Sequence, residues 1–421
     1  MSEVTNLADR IKKQLPAELV SFMERAGKLA TSKRERLYLV GGLVRDLLLN
    51  KTNLDLDLVV EGDAITLARK LAGGRMAKIT VHQHFGTAKL KFPKWSVDIA
   101  TARRESYARP GALPTVKSGS LANDLFRRDF TVNTMAIELN PGSYGNLIDL
   151  YRGRNDLKHK LIRILHEKSF TDDATRIWRG LRYEQRLGFQ LAGNTLRLLK
   201  QALPMLKTVS GDRIRYELEC VLKEQYPEMV FGRAEELGVL ATLNPSLKSN
   251  DWLEEKFKQA RKSCSPGRPP LGLYLALLTY PLTDKETEPL ISYLKLTKSL
   301  ARTLRDTSSI KSKFVPLADP KLTPSGIYHL LDGYSQQAII ANLLASDSPV
   351  AQKHIRLFWA KLRYIKPALT GNDLIQMDIA PGPHIKKVLN HLHDAKLDGK
   401  ITTKQDEKRL VRGWVDKGIS P

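Results

Sequence analysis

GGLVRD at residues 41–46 and LDLDLVV at 54–60 decide how the chain is read. Before them, Leu37–Val40 is a short apolar run that ends on the two glycines, and after them Leu43–Leu49 resumes a helical spacing. In a strand, Gly-Gly, helix pattern the backbone can approach a phosphate group, and the first N–H groups of the helix point at it. In 54–60, Leu54, Leu56 and Leu58 alternate with Asp55 and Asp57. A period of two predicts a strand with both carboxylates on one face. Two carboxylates so spaced can bind divalent cations side by side. Such cations hold a triphosphate and activate a 3′-hydroxyl for in-line attack on the α-phosphorus. Gly41, Gly42, Asp55 and Asp57 are therefore the first candidate site residues.

The same alternation extends outward. Short strands are predicted at Ala88–Phe92 and Ser96–Ala100, and a helix at Ala64–Leu71. Asp98, in SVDIAT, is either a third acidic residue facing the metals or a solvated strand carboxylate. Upstream, Leu7, Ile11, Leu15, Leu19 and Phe22 are helically spaced, with Pro16 dividing the run. Residues 104–120, RESYARPGALPTVKSGS, carry Pro110, Gly111, Pro114 and Gly119. That is too broken for a helix or a central strand, and it reads as a long loop. The first third is thus an α/β domain. After about Leu157 the spacing is helical almost throughout, interrupted near Pro204, Pro227, Pro245, Pro281 and Pro316–Pro324.

Two further stretches carry chemistry. In RRDFTVN (127–133), Arg127 and Arg128 can neutralise triphosphate oxygens with forked contacts. Asp129 and Asn133, four apart, can hydrogen-bond a ribose hydroxyl or brace the loop. In DDATRIWRGLRYEQRLGF (172–189), Asp173 and Arg176 are three apart and project together from a helix. A carboxylate acceptor beside a guanidinium donor complements the amino group and ring nitrogen of cytosine or adenine. Uracil and guanine would meet it with the wrong polarity. Taken alone, the pair also reads as an ordinary surface ion pair.

The 421 residues allow roughly two to four domains. Lys and Arg number 68 against 45 Asp and Glu, a formal charge of +23 that favours a polyanionic partner. Cys220 and Cys264 are too few for a disulfide framework and too far apart for a short metal-ligand spacing. With no secretory leader legible and no apolar run of about 18 residues, the expectation is a cytoplasmic protein without membrane contact.

In their order and spacing these motifs resemble the class II tRNA nucleotidyltransferase and poly(A) polymerase family, whose central member is the CCA-adding enzyme. The resemblance runs from about residue 35 to 225. It includes IDLYRGRNDL (148–157) and GDRIRYEL (211–218), with Asp172 where the family usually has Glu and Thr134 where it usually has Ala. It implies an α+β fold: a nucleotidyltransferase (polymerase β-like) mixed-sheet head at 1–157, a neck with the base-selecting helix at 158–225, a helical body at 226–320 and a helical tail at 321–421. It implies Mg²⁺ on Asp55 and Asp57, with Asp98 a further catalytic candidate. Gly41, Gly42, Arg45 and Arg128 would contact the triphosphate. Asp129 would sit near the ribose, and Asp173 and Arg176 would read the base. The implied reaction is transfer of C and/or A from CTP or ATP to the 3′ end of a tRNA held by its acceptor stem and elbow. CCA-, CC- and A-adding subtypes stay open, as do a poly(A) polymerase and a non-catalytic RNA-binding protein on the same scaffold. In this family a loop between the D-x-D strand and RRDFT is associated with the shift from reading C to reading A. Its presence at 104–120 leans the expectation towards addition of the terminal A.

Overall fold

The structure is a computed structural model that describes residues 5–73, 77–109, 111 and 114–416. Pro110, Ala112 and Leu113 of the 104–120 run lie outside the described residues, as does the start of the chain. Two compact units form: Met1–Glu224 with Glu236–Thr242, and Gln225–Glu235 with Leu243–Pro421.

The first unit opens with α1 (Ala8–Gln14) and α2 (Ala17–Ser32), separated at Pro16 as its missing N–H requires. Strand β1 (Arg36–Val40) leads through Gly41 into α3 (Gly42–Leu48). Then come β2 (Leu56–Glu61) and α4 (Ala64–Ala72), whose first turn is capped by the Asp63 carboxylate accepting from the amides of Ile65 and Thr66. Strands β3 (Lys78–His82), β4 (Thr87–Lys91), β5 (Ser96–Thr101), β6 (Arg103–Ser106) and β7 (Thr115–Ser118) follow. A Ser120–Asn123 capping box starts α5 (Leu121–Phe126). Strands β8 (Ala136–Glu138) and β9 (Leu147–Ile148) complete a seven-stranded mixed sheet in the order β3-β4-β5-β2-β1-β8-β9.

Within this sheet, among the described residues, only β2 and β5 pair in parallel, and their register sets Asp57 opposite Asp98. Antiparallel β4 sets Lys89 opposite Asp98 on its other side. Val59 joins Tyr38, Val40, Ala102, Leu121, Leu125 and Ala136 in a core on one face of the sheet. Asp57, one pleat earlier, shares that face, and so does Glu61 one pleat later. Glu61 accepts from the Tyr38 hydroxyl and from the amide of Leu121, fastening α5 to the sheet.

The expected strand at 54–60 begins two residues late. Asn53 accepts from the amide of Asp55, an Asx turn that holds Asp55 outside the ladder and leaves Leu54 44% exposed. The 104–120 run is not a loop throughout: β6 and β7 form an antiparallel hairpin with Arg103 opposite Ser118 and Ser106 opposite Thr115. Gly111 and Pro114 fall in the connection and Gly119 follows β7, so short strands survive on either side.

Beyond the sheet come α6 (Gly153–Lys158), α7 (Ser169–Asp172), α8 (Thr175–Leu187), α9 (Gly193–Gln201) and α10 (Gly211–Leu222), with Leu161–Ile162 pairing in parallel with Gln190–Leu191. Helix α8 buries Ile177, Trp178 and Leu181, and Gly188 in the left-handed region ends it.

The second unit is all helical. Leu271–Leu278 is apolar on every side, the signature of a helix enclosed by others, and packs against Asp251–Cys264, Lys298–Lys311 and Gln336–Ala345. A second core joins Ile327, Leu331, Ile355 and Phe358. A third joins Leu369, Leu374, Val388, Leu392 and Val411. Glu407, fully buried, accepts from the amides of Ala368 and Leu369 and from Lys396 Nζ at 2.7 Å. His391 lies exposed on its helix, whereas His393 meets the Ile365 carbonyl at 2.9 Å and is half-buried. Among the described residues no helix is long and apolar enough to cross a membrane.

Candidate active site

A cleft of about 450 Å³ opens on the sheet face that carries Asp57 and Asp98. Gly41, at φ 78°, makes the turn from β1 into α3 and lies against both its key charges. A Cβ there would sit 3.1 Å from Arg128 Nη1 and 3.4 Å from Asp57 Oδ2. The glycine therefore serves a positive φ and a close approach at once.

Asp57 is half-buried on β2, with Asp98 beside it in register. Burial pushes its carboxyl up to about 6, Asp98 and Asp55 add like-charge repulsion, and Arg128 and Lys89 oppose them. Asp98 is ion-paired with Lys89 at 2.7 Å and is half-exposed. Asp55 is exposed, just outside the strand. Among the described residues no three His, Cys, Asp or Glu side chains form a ready-made cation cage. The donors present nevertheless suit a hard cation of the Mg²⁺ kind, which takes one or two carboxylates, keeps waters and completes its shell with substrate phosphate. A positive charge beside Asp57 would also relieve the repulsion that raises its pKa.

The arginines are sorted by their partners. Asp124, fully buried, accepts from Arg127 at 2.7 and 2.9 Å on one oxygen and from Arg128 at 3.0 and 3.3 Å on the other. Arg127 also donates to Glu105 on the hairpin at 3.1 Å. Held this way, Arg128 turns Nη1 towards Gly41. Arg45, expected at the triphosphate, is instead 2% exposed. Its guanidinium is committed to Asp46, at 2.8 and 2.9 Å, and to Asn133 Oδ1 at 2.7 Å, and it lies over the Tyr183 ring. Asp46 in turn accepts from Asn53, which holds the Asp55 amide, so the glycine motif braces the D-x-D turn. Asp129 and Asn133 are likewise inward. Asn133 Nδ2 donates to Asp129 Oδ1 at 3.1 Å, and Arg179 grips Asp129 Oδ2 at 2.6 and 2.9 Å.

Burial by itself would raise the Asp129 carboxyl, but Arg179 and Asn133 hold it down at about 2. A depressed folded-state pKa contributes stability that is complete above the unfolded value near 4 and is lost as the pH falls towards 2. Asp129→Asn should therefore lower unfolding free energy by about 2–3 kcal/mol at pH 7. Its deficit relative to wild type should shrink in urea titrations as the pH is lowered through 4. A deficit independent of pH would remove the ion pair from the explanation.

Asp173 precedes α8 rather than riding on it. Its Oδ1 accepts from the amide and hydroxyl of Thr175 and from Arg213 Nη2 at 2.8 Å. Oδ2 has no hydrogen bond among the described residues, and Asp173 lines the cleft. Arg176, on the first turn of α8, donates to the carbonyls of Arg127 at 2.7 Å and Ser169 at 3.4 Å. The structure thus brings Gly41, Gly42, Asp57, Asp98, Arg128, Asp129, Asn133, Asp173 and Arg176 to one cleft. Asp55 and Arg45 stand outside its lining.

Sequence reasoning missed Arg179, Asp124 and Arg213 as organisers. Two of them carry a readable signal: Arg179 is one helical step past Arg176, and Asp124 is three and four residues before Arg127 and Arg128. Arg213 lies 40 residues from Asp173 and had none.

Residues 37–163 match the poly A polymerase head domain, and residues 188–250 match the probable RNA and SrmB-binding site of polymerase A. The chain is 33% identical to the A-adding tRNA nucleotidyltransferase of Halalkalibacterium halodurans, with 98% of this chain and 96% of that protein covered. It is also 33% identical to the A-adding tRNA nucleotidyltransferase of Geobacter sulfurreducens over 98% of its own length, but spans only about half (49%) of that relative. Among solved structures, an apo CCA-adding enzyme superposes with a TM-score of 0.82 at 30% identity, covering 98% of this chain and all of the other. The chain belongs to the class II tRNA nucleotidyltransferase and poly(A) polymerase family.

Proposed function

We propose that this protein transfers AMP from ATP to the 3′-hydroxyl of a tRNA that already ends in CC, releasing pyrophosphate. The observation that carries the reading is that Asp173, whose Oδ1 alone is hydrogen-bonded among the described residues, lines the same cleft as Arg176 and Asp57. The carboxylate accepts from the exocyclic amino group of adenine and the guanidinium donates to its ring nitrogen, which excludes guanine and uracil. Its relatives in Halalkalibacterium halodurans and Geobacter sulfurreducens carry the A-adding name. The division into head, neck, body and tail at 157, 225 and 320 belongs to this proposal, with the helical parts holding the acceptor stem and elbow in the cytoplasm.

Asp55 and Asp57, with Asp98 alongside, would hold Mg²⁺, in the two-ion arrangement that this chemistry uses. Bound there, the cations would lower the pKa of the attacking hydroxyl and neutralise the leaving pyrophosphate. The remaining work falls to the chain's own groups. Gly41 admits the triphosphate close to the backbone, Arg128 stabilises its charge, and Asp173 with Arg176 orients the base. Asn133, itself held by Arg45, and Arg179 hold Asp129 and so fix the wall behind the nucleotide.

The hairpin tip is tied to the base-reading carboxylate, because Arg213 donates to Asp173 and to the Gly111 carbonyl at 3.3 Å. Replacing 106–116 with a Gly-Ser linker should therefore lower AMP incorporation onto CC-ended tRNA by about 10²-fold, as for misplaced reacting groups. CMP incorporation, if any, should fall much less. Incorporation of labelled nucleotide into transcripts ending at the discriminator base, at C and at CC tests both statements. Addition of CMP to the first two by the wild type would make this a CCA-adding enzyme. Absence of AMP addition to the third would end the proposal.

A further inference from the structure

A second cleft, of about 640 Å³, shares a wall with the first: Glu105, Tyr107, Arg127 and Arg176 line both. Its far side is aromatic. Phe126, the last residue of α5, is 44% exposed although Leu121 and Leu125 of its helix pack on the sheet. Its ring stacks on His166, with centroids 5.0 Å apart and planes at 27°, and leans on Tyr151 at 5.8 Å. Arg104 and Lys168 stand exposed at the rim, and among the described residues neither is in an ion pair. Glu167 and Asp172 are the acids nearby, while Glu105 is spent on Arg103 and Arg127.

An open aromatic face flanked by unpaired cations suits a single-stranded polynucleotide, whose bases stack while its phosphates pair. A nucleotide-joining reaction needs such a strand next to the nucleotide cleft, because the 3′ end has to reach the α-phosphate. We propose that the Phe126–His166 pair is a stacking platform for one unpaired base of the tRNA 3′ end. It would seat the strand on the side of Arg127 and Arg176 away from the glycine turn. The His166 ring is suited to stacking as a neutral group. Burial, with Arg176 and Lys168 adding to it, lowers its pKa against the opposing pull of Asp172.

The proposal rests on the tRNA-directed reading but is separable from it. A base stacked on an aromatic residue contributes on the order of a tenfold change in binding. Phe126→Ala should raise KM for tRNA about tenfold and leave KM for ATP within about twofold. Phe126→Trp should restore the wild-type value. Equilibrium binding supplies a readout independent of turnover. tRNAs carrying 2-aminopurine at the discriminator position, the first C or the second C, one at a time, are bound to each variant. The fluorescence of one of the three should be quenched by wild type and by Phe126→Trp, and not by Phe126→Ala. Equal quenching by Phe126→Ala at every position would overturn the platform, and so would an unchanged KM for tRNA. A wild type that adds no AMP yet quenches one position would sink the A-adding assignment while leaving the platform standing.

Discussion

Asp57→Asn is expected to reduce nucleotide incorporation by at least about 10³-fold, the scale of losing several kcal/mol of charge stabilisation in the transition state. tRNA affinity should stay within about threefold, because phosphate contacts over the whole RNA dominate binding. The substitution keeps shape and removes only the charge. Asp57 stands apart from its two neighbours for structural reasons. It lines the cleft, sits on a strand and has its carboxyl pushed up to about 6 by burial and by Asp98 and Asp55. Asp98 is already balanced by Lys89 at 2.7 Å, so Asp98→Asn should cost only about tenfold. Asp55 sits at a turn held by Asn53, and its loss should fall near that of Asp57 if it is a metal ligand. Single-turnover incorporation of α-labelled ATP, alongside filter binding of tRNA, measures these quantities. An Asp57→Asn enzyme with near-normal turnover would remove the catalytic assignment altogether.

The second large effect is on base choice. Asp173→Asn replaces an acceptor by a group that can also donate, while Arg213 and Thr175 still have an oxygen to meet. Discrimination against GTP should fall by about 10²–10³-fold in kcat/KM ratio, the range seen when directed polar groups in a site lose their complement. Full charge reversal at 173 is a poorer test, since it would set a cation against Arg213. Competition between ATP and GTP on CC-ended tRNA gives the ratio directly. A slower enzyme with an unchanged ratio would make Asp173 a support for α8 and not a reader of bases.

Much was legible in the chain alone, and for a local reason. The alternation at 56–60, the glycines after β1, the helix spacings and the Pro16 break are short-range patterns set by backbone geometry and side-chain period. They determined a strand-turn-helix beside a strand bearing Asp57, and a helical remainder. What they left open was decided by contacts between distant residues. Asn133 engages Arg45 across 88 positions, and with Asp46 it holds that guanidinium buried. Arg179 reaches Asp129 across 50, and Arg213 reaches Asp173 across 40. The parallel pairing of β2 and β5 puts Asp98 beside Asp57, while Lys89 on β4 pairs with it and leaves it half-exposed. The short strands β6, β8 and β9 have too few residues for a period to show, and exist because neighbours pair with them. Sequence alone determined which residue types are available, since charge and period are properties of the chain. Which of those charges face substrate and which are consumed inside was decided only by the tertiary structure, because a buried arginine must find its carboxylate wherever the fold brings one.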